Sequence, residues 1–476
     1  MKRFSNENMK RLSSYIKRNG IKASAYKVLE RLDRDDTEKN YTRDVFDLIA
    51  DKEQEALERE TEFTHKYKLS IVVPAYETGK KRILEMIESV RNQTYEGYEL
   101  CIADASETDE VEETVKEYIS DKIKYQRLSE NRGISENTNE ALKMATGEYV
   151  IFLDHDDILT RNALYEVMTV LEKGLTKSKT GFITNKVKMI YSDEDKCDDT
   201  LSNFFDHHIK PDFDIDLLRT NNYICHLLVV RRELALQVGG FDKDYDGAQD
   251  HDFIFRCVEQ LKREEIVHIP KVLYHWRSHV SSTATNPDSK LYAYDSGKRA
   301  VVAHLNRLSI QADVVDTEHL GFYRVKYKVS AQDLTKITIM SLDELKSMSH
   351  EELEALDFEY IMVLNDNVKP LNPDFFEEML GILKREEVGC VGGLVIKRGK
   401  IESAGYSVSE GGELTPDFAG LNKNYSGYLH RAKMVREVSG VCTDCMMVKK
   451  SAINEAGALD PEKLVVYCPY SVFKRV

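Results

Sequence analysis

The sequence predicts an α/β protein with a mostly parallel sheet, because short apolar runs alternate with amphipathic stretches from Lys68 onward. Two of the apolar runs, KLSIVVPAYE and YELCIADAS, have the composition of buried strands. The stretches that follow them, ILEMIESVRNQ and EVEETVKEYI, have the spacing of helices with one apolar face. Strands that alternate with helices usually pair in parallel, and the fold class follows from this pattern.

A further strand is predicted by EYVIFLDHDD, residues 148–157, which ends in a histidine and three carboxylates. In an open parallel sheet, ligands bind at the carboxyl ends of the strands. Tyr76 and Asp104 stand at the ends of the two earlier strands. We therefore expect both residues and the cluster at 154–157 to meet in one crevice.

Carboxylates packed this closely repel one another, and a divalent cation would neutralise them. Hard oxygen ligands select Mg²⁺ or Mn²⁺, and a cation held by one or two carboxylates commonly completes its shell with phosphate oxygens. The cluster therefore indicates a nucleoside diphosphate as partner. The alternative is that the aspartates only cap the next helix, TRNALYEVMTVLEK, where negative charge at the N-terminus is favourable.

Composition disfavours several other classes of protein. With 476 residues, 42% of them apolar, the chain is long enough for several domains with their own cores. Its 67 basic and 82 acidic side chains give a net charge of −15, which argues against a nucleic-acid partner. No run reaches the ~18 apolar residues of a membrane span, and the N-terminus lacks the apolar core of a signal peptide. We therefore expect a cytoplasmic protein whose eight cysteines are reduced.

Residues 1–66 are predicted to form an N-terminal helical segment. Its first 29 residues contain one acidic residue, Glu7, and eight basic residues, which are Lys2, Arg3, Lys10, Arg11, Lys17, Arg18, Lys22 and Lys27. One interpretation is that this stretch binds anionic lipid, which would place the protein peripherally at the inner face of the cell membrane. The alternative is a solvated helical face that packs on its neighbour.

Together these motifs resemble the family 2 glycosyltransferases of the GT-A fold, a Rossmann-like fold of nucleotide-diphospho-sugar transferases. The similarity covers about residues 68–305, and the motifs stand in the family's order: VVPAYE, ADAS, NRGISENTNEAL, the DXD motif as DHD, GGFD, QDHDFIFR and LYHWRSH. The resemblance implies a catalytic GT-A domain over residues 67–315, with Mn²⁺ or Mg²⁺ as its cofactor.

The resemblance also implies roles for individual residues. The donor nucleotide sugar would be bound by Pro74, Tyr76, Glu77, Asp104, Arg132, Gly133 and Asp154. The metal would be held by Asp156 and His275, and the catalytic base would be Asp250. The acceptor site would be shaped by Asp252, Trp276 and Arg277, in which the indole offers a flat apolar face to a sugar ring. For the tryptophan, the alternative is an aromatic side chain of the core.

Two positions depart from the family's pattern. Ala103 stands where the family often has the first of two aspartates, so recognition of the base would depend on Asp104 alone. Thr138 stands where many relatives carry an arginine near the diphosphate. Neutralisation of the diphosphate would then depend on the metal or on Arg132.

The implied activity is metal-dependent, inverting transfer of a sugar from a nucleotide-diphosphate sugar, with a UDP-sugar expected, to a glycan or lipid-linked acceptor in bacterial surface polysaccharide biosynthesis. A sugar hydroxyl is a poor nucleophile, so the Asp250 carboxylate would take its proton as the diphosphate departs. A single displacement inverts the anomeric configuration and needs no covalent intermediate. The sequence leaves open whether the protein forms a homo-oligomer.

Two further motifs are interpreted as local structure. Cys442 and Cys445 in GVCTDCMMV have the spacing of a metal knuckle, but a zinc site would need a second pair at a suitable distance, and the sequence has none. We interpret them as small buried thiols on an apolar strand. The motif YSDED, residues 191–195, is interpreted as an acidic turn, with the lining of an acceptor cleft as the alternative.

A degenerate second GT-A-like copy is predicted within residues 316–476. EYVIFLDHDD aligns without a gap with EYIMVLNDNV, so Asn365 and Asn367 replace Asp154 and Asp156. Neutral amides are poor ligands for a hard cation. The second copy is therefore expected to be an α/β domain without catalytic activity.

The same comparison continues further along the chain. The sequence from residue 229 aligns without a gap with that from residue 447, which places Cys468 at the position of Asp250. Too little chain precedes Glu359 to rebuild the strand–helix units of residues 68–147. The partial copy would then cover the catalytic domain, pair subunits or hold a growing glycan.

Two other functions remain as alternatives to the transferase. A sugar nucleotidyltransferase would need a glycine-rich basic loop after the first strand, and VPAYETGKK offers one glycine. A non-catalytic glycan-binding or scaffold subunit is disfavoured because the first copy keeps its metal-site and base residues, which are Asp154, Asp156, Asp250 and His275.

Overall fold

A computed structural model describes residues 52–177, 183–278, 291–409, 411–454 and 458–476. Its chain divides into two compact units. Within the described residues, the N-terminal unit comprises 52–213 and 222–304, and the C-terminal unit comprises 214–221 and 305–476. The predicted basic stretch at the start of the chain lies outside the described residues.

The helices are α1 (Lys52–Glu60), α2 (Lys80–Arg91), α3 (Glu110–Val115), α4 (Ile134–Met144), α5 (Ala163–Lys173), α6 (Ile215–Thr220), α7 (Arg232–Gln237), α8 (Gln249–Val258), α9 (Leu291–Arg307), α10 (Ala331–Leu334), α11 (Leu342–Ser347), α12 (His350–Ala355) and α13 (Phe375–Leu383). In the part of the chain that the structure describes, none of these helices is both long and apolar enough to cross a membrane.

The strands through residue 304 are β1 (Leu69–Ala75), β2 (Tyr98–Asp104), β3 (Ile123–Arg127), β4 (Tyr149–Phe152), β5 (Ile158–Leu159), β6 (Leu175–Lys177), β7 (Ile183–Asn185), β8 (Met189–Asp198), β9 (Phe204–His208), β10 (Leu228–Arg231) and β11 (Ile266–Ser278). The later strands are β12 (Ala312–Asp316), β13 (Tyr323–Tyr327), β14 (Ile337–Met340), β15 (Tyr360–Leu364), β16 (Val368–Pro370), β17 (Val388–Lys397), β18 (Lys400–Ser403), β19 (Tyr406–Val408), β20 (Leu414–Pro416), β21 (Arg436–Glu437), β22 (Cys445–Lys449) and β23 (Leu464–Arg475).

The main sheet of the N-terminal unit has the order β3-β2-β1-β4-β10-β8-β11-β5, with β9 paired to β8. Strands β3, β2, β1, β4, β8 and β11 run in one direction, and β10, β5 and β9 run in the other. The predicted α/β fold with a mostly parallel sheet is confirmed.

Burial on both faces explains the continuous apolar runs of β1 and β2, all of whose residues are buried. Helix α2 covers one face through Ile83, Met86, Ile87 and Val90, whose spacing places them on a single stripe. Gly147 precedes β4, and a Cβ atom there would lie 2.3 Å from the Lys68 carbonyl oxygen. Only glycine allows the two backbones to approach this closely.

The register of the parallel strands places their carboxyl ends at one edge of the sheet. Ala75 is opposite Asp104 in the β1–β2 pair, and Val72 is opposite Phe152 in the β1–β4 pair. The loops after β1, β2 and β4 therefore begin side by side, as the sequence predicts.

The main sheet of the C-terminal unit repeats the central and distal part of the first sheet. Its order, β14-β15-β22-β17-β23-β16, matches β1-β4-β10-β8-β11-β5, and every corresponding pair has the same direction. Among the described residues this sheet has no counterparts of β2 and β3. Cys442 and Cys445 are both buried, in agreement with their interpretation as core thiols.

Candidate active site

The three carboxylates that follow β4 have different surroundings. Asp157 is buried, and its carboxylate accepts hydrogen bonds from the Tyr274 hydroxyl at 2.5 Å and from the Arg277 backbone nitrogen at 2.7 Å. Burial raises the pKa of Asp157, and the charges of Asp156 and Asp154 raise it further. Asp157 therefore fastens the loop after β4 to β11.

Arg277, which is predicted to shape the acceptor site, lies in a buried position. Its side chain is fully buried, with Nε donating to the Asp156 carbonyl oxygen at 2.6 Å and Nη1 donating to Glu85 Oε2 at 2.7 Å. Arg277 therefore holds the backbone of the loop after β4 and links it to α2. Its role in acceptor binding stays a prediction.

Replacement of Arg277 by methionine is expected to lower the free energy of unfolding by about 2 kcal/mol, because it breaks a buried ion pair whose acidic partner can partly rehydrate. Urea denaturation measures this loss. The control is Arg91→Met, which removes an ion pair whose arginine is 47% exposed and should cost less than about 1 kcal/mol. Equal losses in the two variants would contradict the assignment of Arg277.

Asp154 lies among charged groups from three different segments. Burial raises the pKa of Asp154, the His226 imidazole lowers it, and the carboxylates of Asp156 and Asp250 raise it. The Asp154 backbone nitrogen donates to the Tyr274 hydroxyl at 3.3 Å, and the Tyr274 ring stacks on His226 at a centroid distance of 4.4 Å. Cys225, next to His226, lies 3.6 Å from Asp250 Oδ2, so contacts connect the loop after β4, the segment before β10 and the start of α8. The structure thus brings together the residues predicted as the DXD pair and the base.

Asp250 is half-buried at the start of α8. Its Oδ2 accepts a hydrogen bond from Asn222 Nδ2 at 2.7 Å and lies 3.6 Å from Cys225 Sγ. Its Oδ1 accepts from the His251 backbone nitrogen at 2.9 Å. A carboxylate has about four lone-pair sites, so the group can still accept a proton from a substrate hydroxyl.

Asp252 is predicted to shape the acceptor site, and this role stays a prediction. The residue is fully buried, and its Oδ2 accepts from Arg256 Nε at 2.8 Å and lies 2.7 Å from Arg256 Nη2. Arg256 Nη1 in turn donates to the Gly240 carbonyl oxygen at 2.8 Å. This pair fastens α8 to the GGFD turn and supports the position of Asp250.

His275 lies on β11 beside the loop after β4, in register with Ile158 of β5. Its Nδ1 lies 2.5 Å from Asp195 Oδ1, and its ring meets Phe204 edge-on at a centroid distance of 4.6 Å. A carboxylate that holds one ring nitrogen orients the other, which is the usual arrangement around a metal-ligating histidine. Its role as a metal ligand stays a prediction.

The predicted donor residues at the end of β1 differ in their exposure and in their contacts. Pro74 is buried within β1, whereas the Tyr76 side chain is 40% exposed at the carboxyl edge of the sheet. Glu77 adopts a φ of +48° and accepts hydrogen bonds from Thr108 Oγ1 at 2.8 Å and the Glu107 backbone nitrogen at 2.6 Å. The bonds from Thr108 and Glu107 hold the pKa of Glu77 below its usual value. Glu77 therefore joins the loops after β1 and β2.

Asp104, which is predicted to contact the nucleotide base, is fully buried. Its carboxylate accepts from the Ser106 hydroxyl at 2.5 Å, the Ser106 backbone nitrogen at 2.9 Å and the Tyr125 hydroxyl at 2.7 Å. Asp104 thus shapes the turn after β2, and its contact with a base stays a prediction.

Arg132 and Gly133 lie at the start of α4. Arg132 is exposed and donates from Nε to Glu130 at 2.7 Å. Gly133 has a φ of +100°, and a Cβ atom there would lie 2.6 Å from Asp246 Oδ2. Asp246 accepts from the Ser135 hydroxyl at 2.5 Å, so its carboxylate occupies the first turn of α4 and requires a glycine beside it.

Trp276 is half-buried on β11. Part of the indole packs against the core, and its ring lies 5.9 Å from the His226 ring, with Lys196 Nζ 5.4 Å from its centroid. The indole therefore combines the predicted core contact with a position next to the charged cluster. Its role in acceptor binding stays a prediction.

The sequence interpretation missed the residues that hold the charged cluster together. YSDED is not a turn, because residues 191–195 are buried within β8. Glu194 of this motif contacts His226 Nδ1 at 3.0 Å, and Asn222 contacts Asp250. The sequence signal for these contacts was the three acidic residues of YSDED. If such residues lie in a buried strand, their carboxylates require partners.

Residues 70–194 match the family profile described as glycosyl transferase family 2. That segment holds β1, β2, β4 and the DXD loop. The chain contains a family 2 glycosyltransferase domain. The resemblance derived from the motifs is thereby confirmed for the part of the chain that carries Tyr76, Asp154 and Asp156.

Relatives extend the similarity beyond that domain. An uncharacterized protein y4gI of Sinorhizobium fredii is 31% identical in an alignment 461 residues long that covers 84% of this chain and 50% of that protein. The O-antigen biosynthesis protein RfbC of Myxococcus xanthus is 26% identical in an alignment 456 residues long that covers 82% of this chain and 34% of that protein. The chain thus spans half or less of the length of these curated relatives.

Among solved structures, the crystal structure of S. aureus TarS residues 1–349 is similar at 20% identity with a TM-score of 0.39. The alignment covers 50% of this chain and 66% of the TarS chain.

The loop of the C-terminal unit that corresponds to the DXD loop has different chemistry. Asn365 and Asn367 donate to the two oxygens of Asp444 at 2.7 and 3.1 Å, and Arg475 Nη1 donates to the same carboxylate at 2.7 Å. Burial raises the pKa of Asp444, but these three partners together lower it below its usual value. The amides and the guanidinium thus enclose one carboxylate in an internal ion pair.

The predicted alignment of Cys468 with Asp250 is wrong. Cys468 lies on β23, which pairs in parallel with β17 and matches β11, whereas Asp250 lies on a helix that precedes β11. The connection between β22 and β23 spans residues 450–463, and its described part contains only a short 3-10 turn. The copies therefore differ by loss of the whole segment that carries α8.

Proposed function

We propose that this chain is a metal-dependent, inverting glycosyltransferase that transfers a sugar from a nucleotide-diphosphate sugar to a glycan or lipid-linked acceptor. The observation that carries the proposal is the chain of contacts through Tyr274, His226 and Cys225 that connects the DXD loop to Asp250. The DXD loop lies in the segment that matches the family 2 profile. Catalysis is assigned to the N-terminal unit, and the C-terminal unit is assigned a non-catalytic role.

The residues at this edge fit a divalent cation, Mn²⁺ or Mg²⁺. Partial burial raises the pKa of half-buried Asp154, and the charges of Asp156 and Asp250 raise it further, so the cluster carries repulsion that a cation would relieve. Asp156 and His275 would hold the ion, with the histidine oriented by Asp195. When bound, such an ion stabilises negative charge on a departing diphosphate.

The base of the reaction is assigned to Asp250. Its carboxylate is half-buried, is held on Oδ2 by Asn222 and retains acceptor capacity. In the proposed reaction it takes the proton of the acceptor hydroxyl while that oxygen forms the bond to the anomeric carbon. The bond from the anomeric carbon to the diphosphate breaks in the same step, so the configuration inverts.

The donor and the acceptor follow from different arguments. A nucleotide sugar is the donor class of the family 2 resemblance, and exposed Tyr76 is the side chain assigned to the nucleotide; a UDP-sugar is the expected member. The name of the RfbC relative, an O-antigen biosynthesis protein, supports an acceptor in surface polysaccharide biosynthesis. Trp276 is assigned to acceptor binding because its indole lies next to the charged cluster.

The second candidate function is a non-catalytic subunit that binds or organises glycans. The ion pair between Asp444 and Arg475 favours this function for the C-terminal unit, because it occupies the place of a metal site. The N-terminal unit keeps carboxylates at both positions of its DXD loop, Asp154 and Asp156. The transferase is therefore preferred for the whole chain.

Release of nucleoside diphosphate tests the proposal. The protein is incubated with a panel of nucleotide sugars, Mn²⁺ and an extract of bacterial lipid-linked glycans, and the product is identified by mass spectrometry. We expect release from one donor, loss of release with a chelator, and a product one sugar heavier than the acceptor. Equal release with and without chelator would remove the metal from the proposal.

A further inference from the structure

We propose that Glu194, acting through His226, fixes the turn at residues 222–226 so that Asn222 positions the carboxylate of Asp250. The inference rests on the proposed function, in which Asp250 is the base. It assigns positioning roles to residues outside the family motifs quoted above.

Glu194 is the anchor because it is a buried, charged residue within β8. Its Oε1 lies 3.1 Å from His208 Nδ1, and its Oε2 lies 3.0 Å from His226 Nδ1 and 3.5 Å from Lys210 Nζ. Burial raises the pKa of Glu194, but Lys210 and the two histidines together lower it well below its usual value. A carboxylate with this many partners is held in one place.

His226 connects Glu194 to the turn at residues 222–226. Glu194 Oε2 accepts from the backbone nitrogen of His226 at 3.2 Å as well as from its ring. The ring stacks on Tyr274 with centroids 4.4 Å apart and planes 8° apart. The Tyr274 hydroxyl holds Asp157 in the DXD loop, so one histidine ring joins the turn, β8 and β11.

Asn222 connects the turn to the base, and its amide can adopt only one orientation there. Its Oδ1 accepts from the Cys225 backbone nitrogen at 3.3 Å, so its Nδ2 must face the Asp250 carboxylate, to which it donates at 2.7 Å. Cys225 Sγ lies 3.6 Å from the same oxygen. Both donors hold Oδ2, which sets the direction in which the rest of the carboxylate faces.

The same residues could also be compared with a metal site, since Glu194, Cys225 and His226 each offer a ligand atom within 4.8 Å of the others. However, the Lys210 ammonium lies on Glu194, and burial raises the pKa of the Cys225 thiol to about 12. A protonated thiol and a neutralised carboxylate are weak ligands. Positioning of the base therefore accounts better for the cluster.

The test compares Asn222→Ala and Glu194→Gln with the wild-type chain in the transfer assay. We expect kcat to fall about tenfold to 100-fold in both variants, because a misplaced base transfers protons slowly. The dissociation constant of the metal–nucleotide complex should stay within about twofold, because neither side chain is assigned to the donor. Glu233→Gln is the matched control, since that carboxylate is 80% exposed and should leave kcat unchanged.

A second pair of variants separates positioning from folding. His226→Asn keeps a donor close to the place of Nδ1 and should retain most of the wild-type kcat. His226→Ala removes that donor, so its kcat should fall by as much as the kcat of Glu194→Gln. A purely structural role would lower thermal stability and donor affinity together, without recovery by the asparagine.

Wild-type kcat in Asn222→Ala, or in a folded Glu194→Gln variant, would overturn the inference while the proposed function stands. Equal losses in His226→Asn and His226→Ala would overturn the part assigned to the histidine. If the wild-type chain transfers no sugar, or if Asp250→Asn keeps full activity, the proposed function itself fails, and these controls identify that case before the positioning variants are compared.

Discussion

Replacement of Asp250 by asparagine is expected to lower the rate of sugar transfer by about 10³-fold, because the amide cannot accept the proton of the acceptor hydroxyl. The change keeps the size of the side chain and its contact with Asn222. The affinity for the nucleotide sugar should therefore stay within about twofold. Steady-state kinetics and calorimetric titration of the donor measure the two quantities.

The control for this variant is Asp252→Asn, two residues along α8. Asp252 is buried in an ion pair with Arg256, so its replacement should lower stability before it lowers the rate. A protein that is folded and still transfers sugar at the wild-type rate with Asn at position 250 would show that another group is the base. The assignment of the turn at 222–226 would then lose its basis.

The second large effect is expected from Asp156→Ala, which should weaken binding of the metal–nucleotide complex by about 100-fold, or ~2.7 kcal/mol. The residue is the proposed metal-facing member of the DXD pair, and without its carboxylate the diphosphate charge would lack the proposed neutralising ion. Titration of a nucleoside diphosphate with Mn²⁺ present and with chelator measures the loss.

The C-terminal unit offers the matched control. Asp366 lies in the loop after β15 that corresponds to the DXD loop, and it is exposed. Asp366→Ala should leave metal-dependent nucleotide binding unchanged. Loss of binding in this variant would place a functional metal site in the second unit and contradict its assignment as non-catalytic.

The fold was predictable from the sequence where each strand is buried on both faces. The strands β1, β2 and β4 have continuous apolar runs, and their register follows from the parallel alternation with helices. The distal half of the sheet, with β10 antiparallel between β4 and β8, was not predictable in the same way. Its strands are joined by long segments, and their neighbours are set by tertiary contacts.

The DXD loop was predictable because its carboxylates are adjacent in the chain and directly follow β4. The buried positions of Asp104, Asp252 and Arg277 depend on partners distant in the sequence, such as Glu85 for the arginine. The family motifs predict ligand contacts for these three residues from residue type alone, because a motif contains no information on burial.

The comparison of the two copies failed for a related reason. A gapless alignment keeps residue spacing, but the second copy has a short connection where the first has the segment with α8. The loss of the DXD carboxylates, in contrast, was predictable from the sequence. The strands β4 and β15 correspond, and in both copies the loop follows the strand without an insertion. The matching sheet orders support a duplicated architecture.

The most direct test of the account is a thermal-shift screen of the purified chain against nucleoside diphosphates and nucleotide sugars, with Mn²⁺ and with chelator. A ligand that binds only the folded state raises the free energy of unfolding by about 2.7 kcal/mol when its free concentration is 100 times its dissociation constant. We expect one nucleotide to raise the midpoint of thermal unfolding, and we expect this increase to require metal and to be absent in Asp156→Ala. No shift with any nucleotide, in protein shown to be folded, would contradict the transferase and favour a glycan-binding or scaffold subunit.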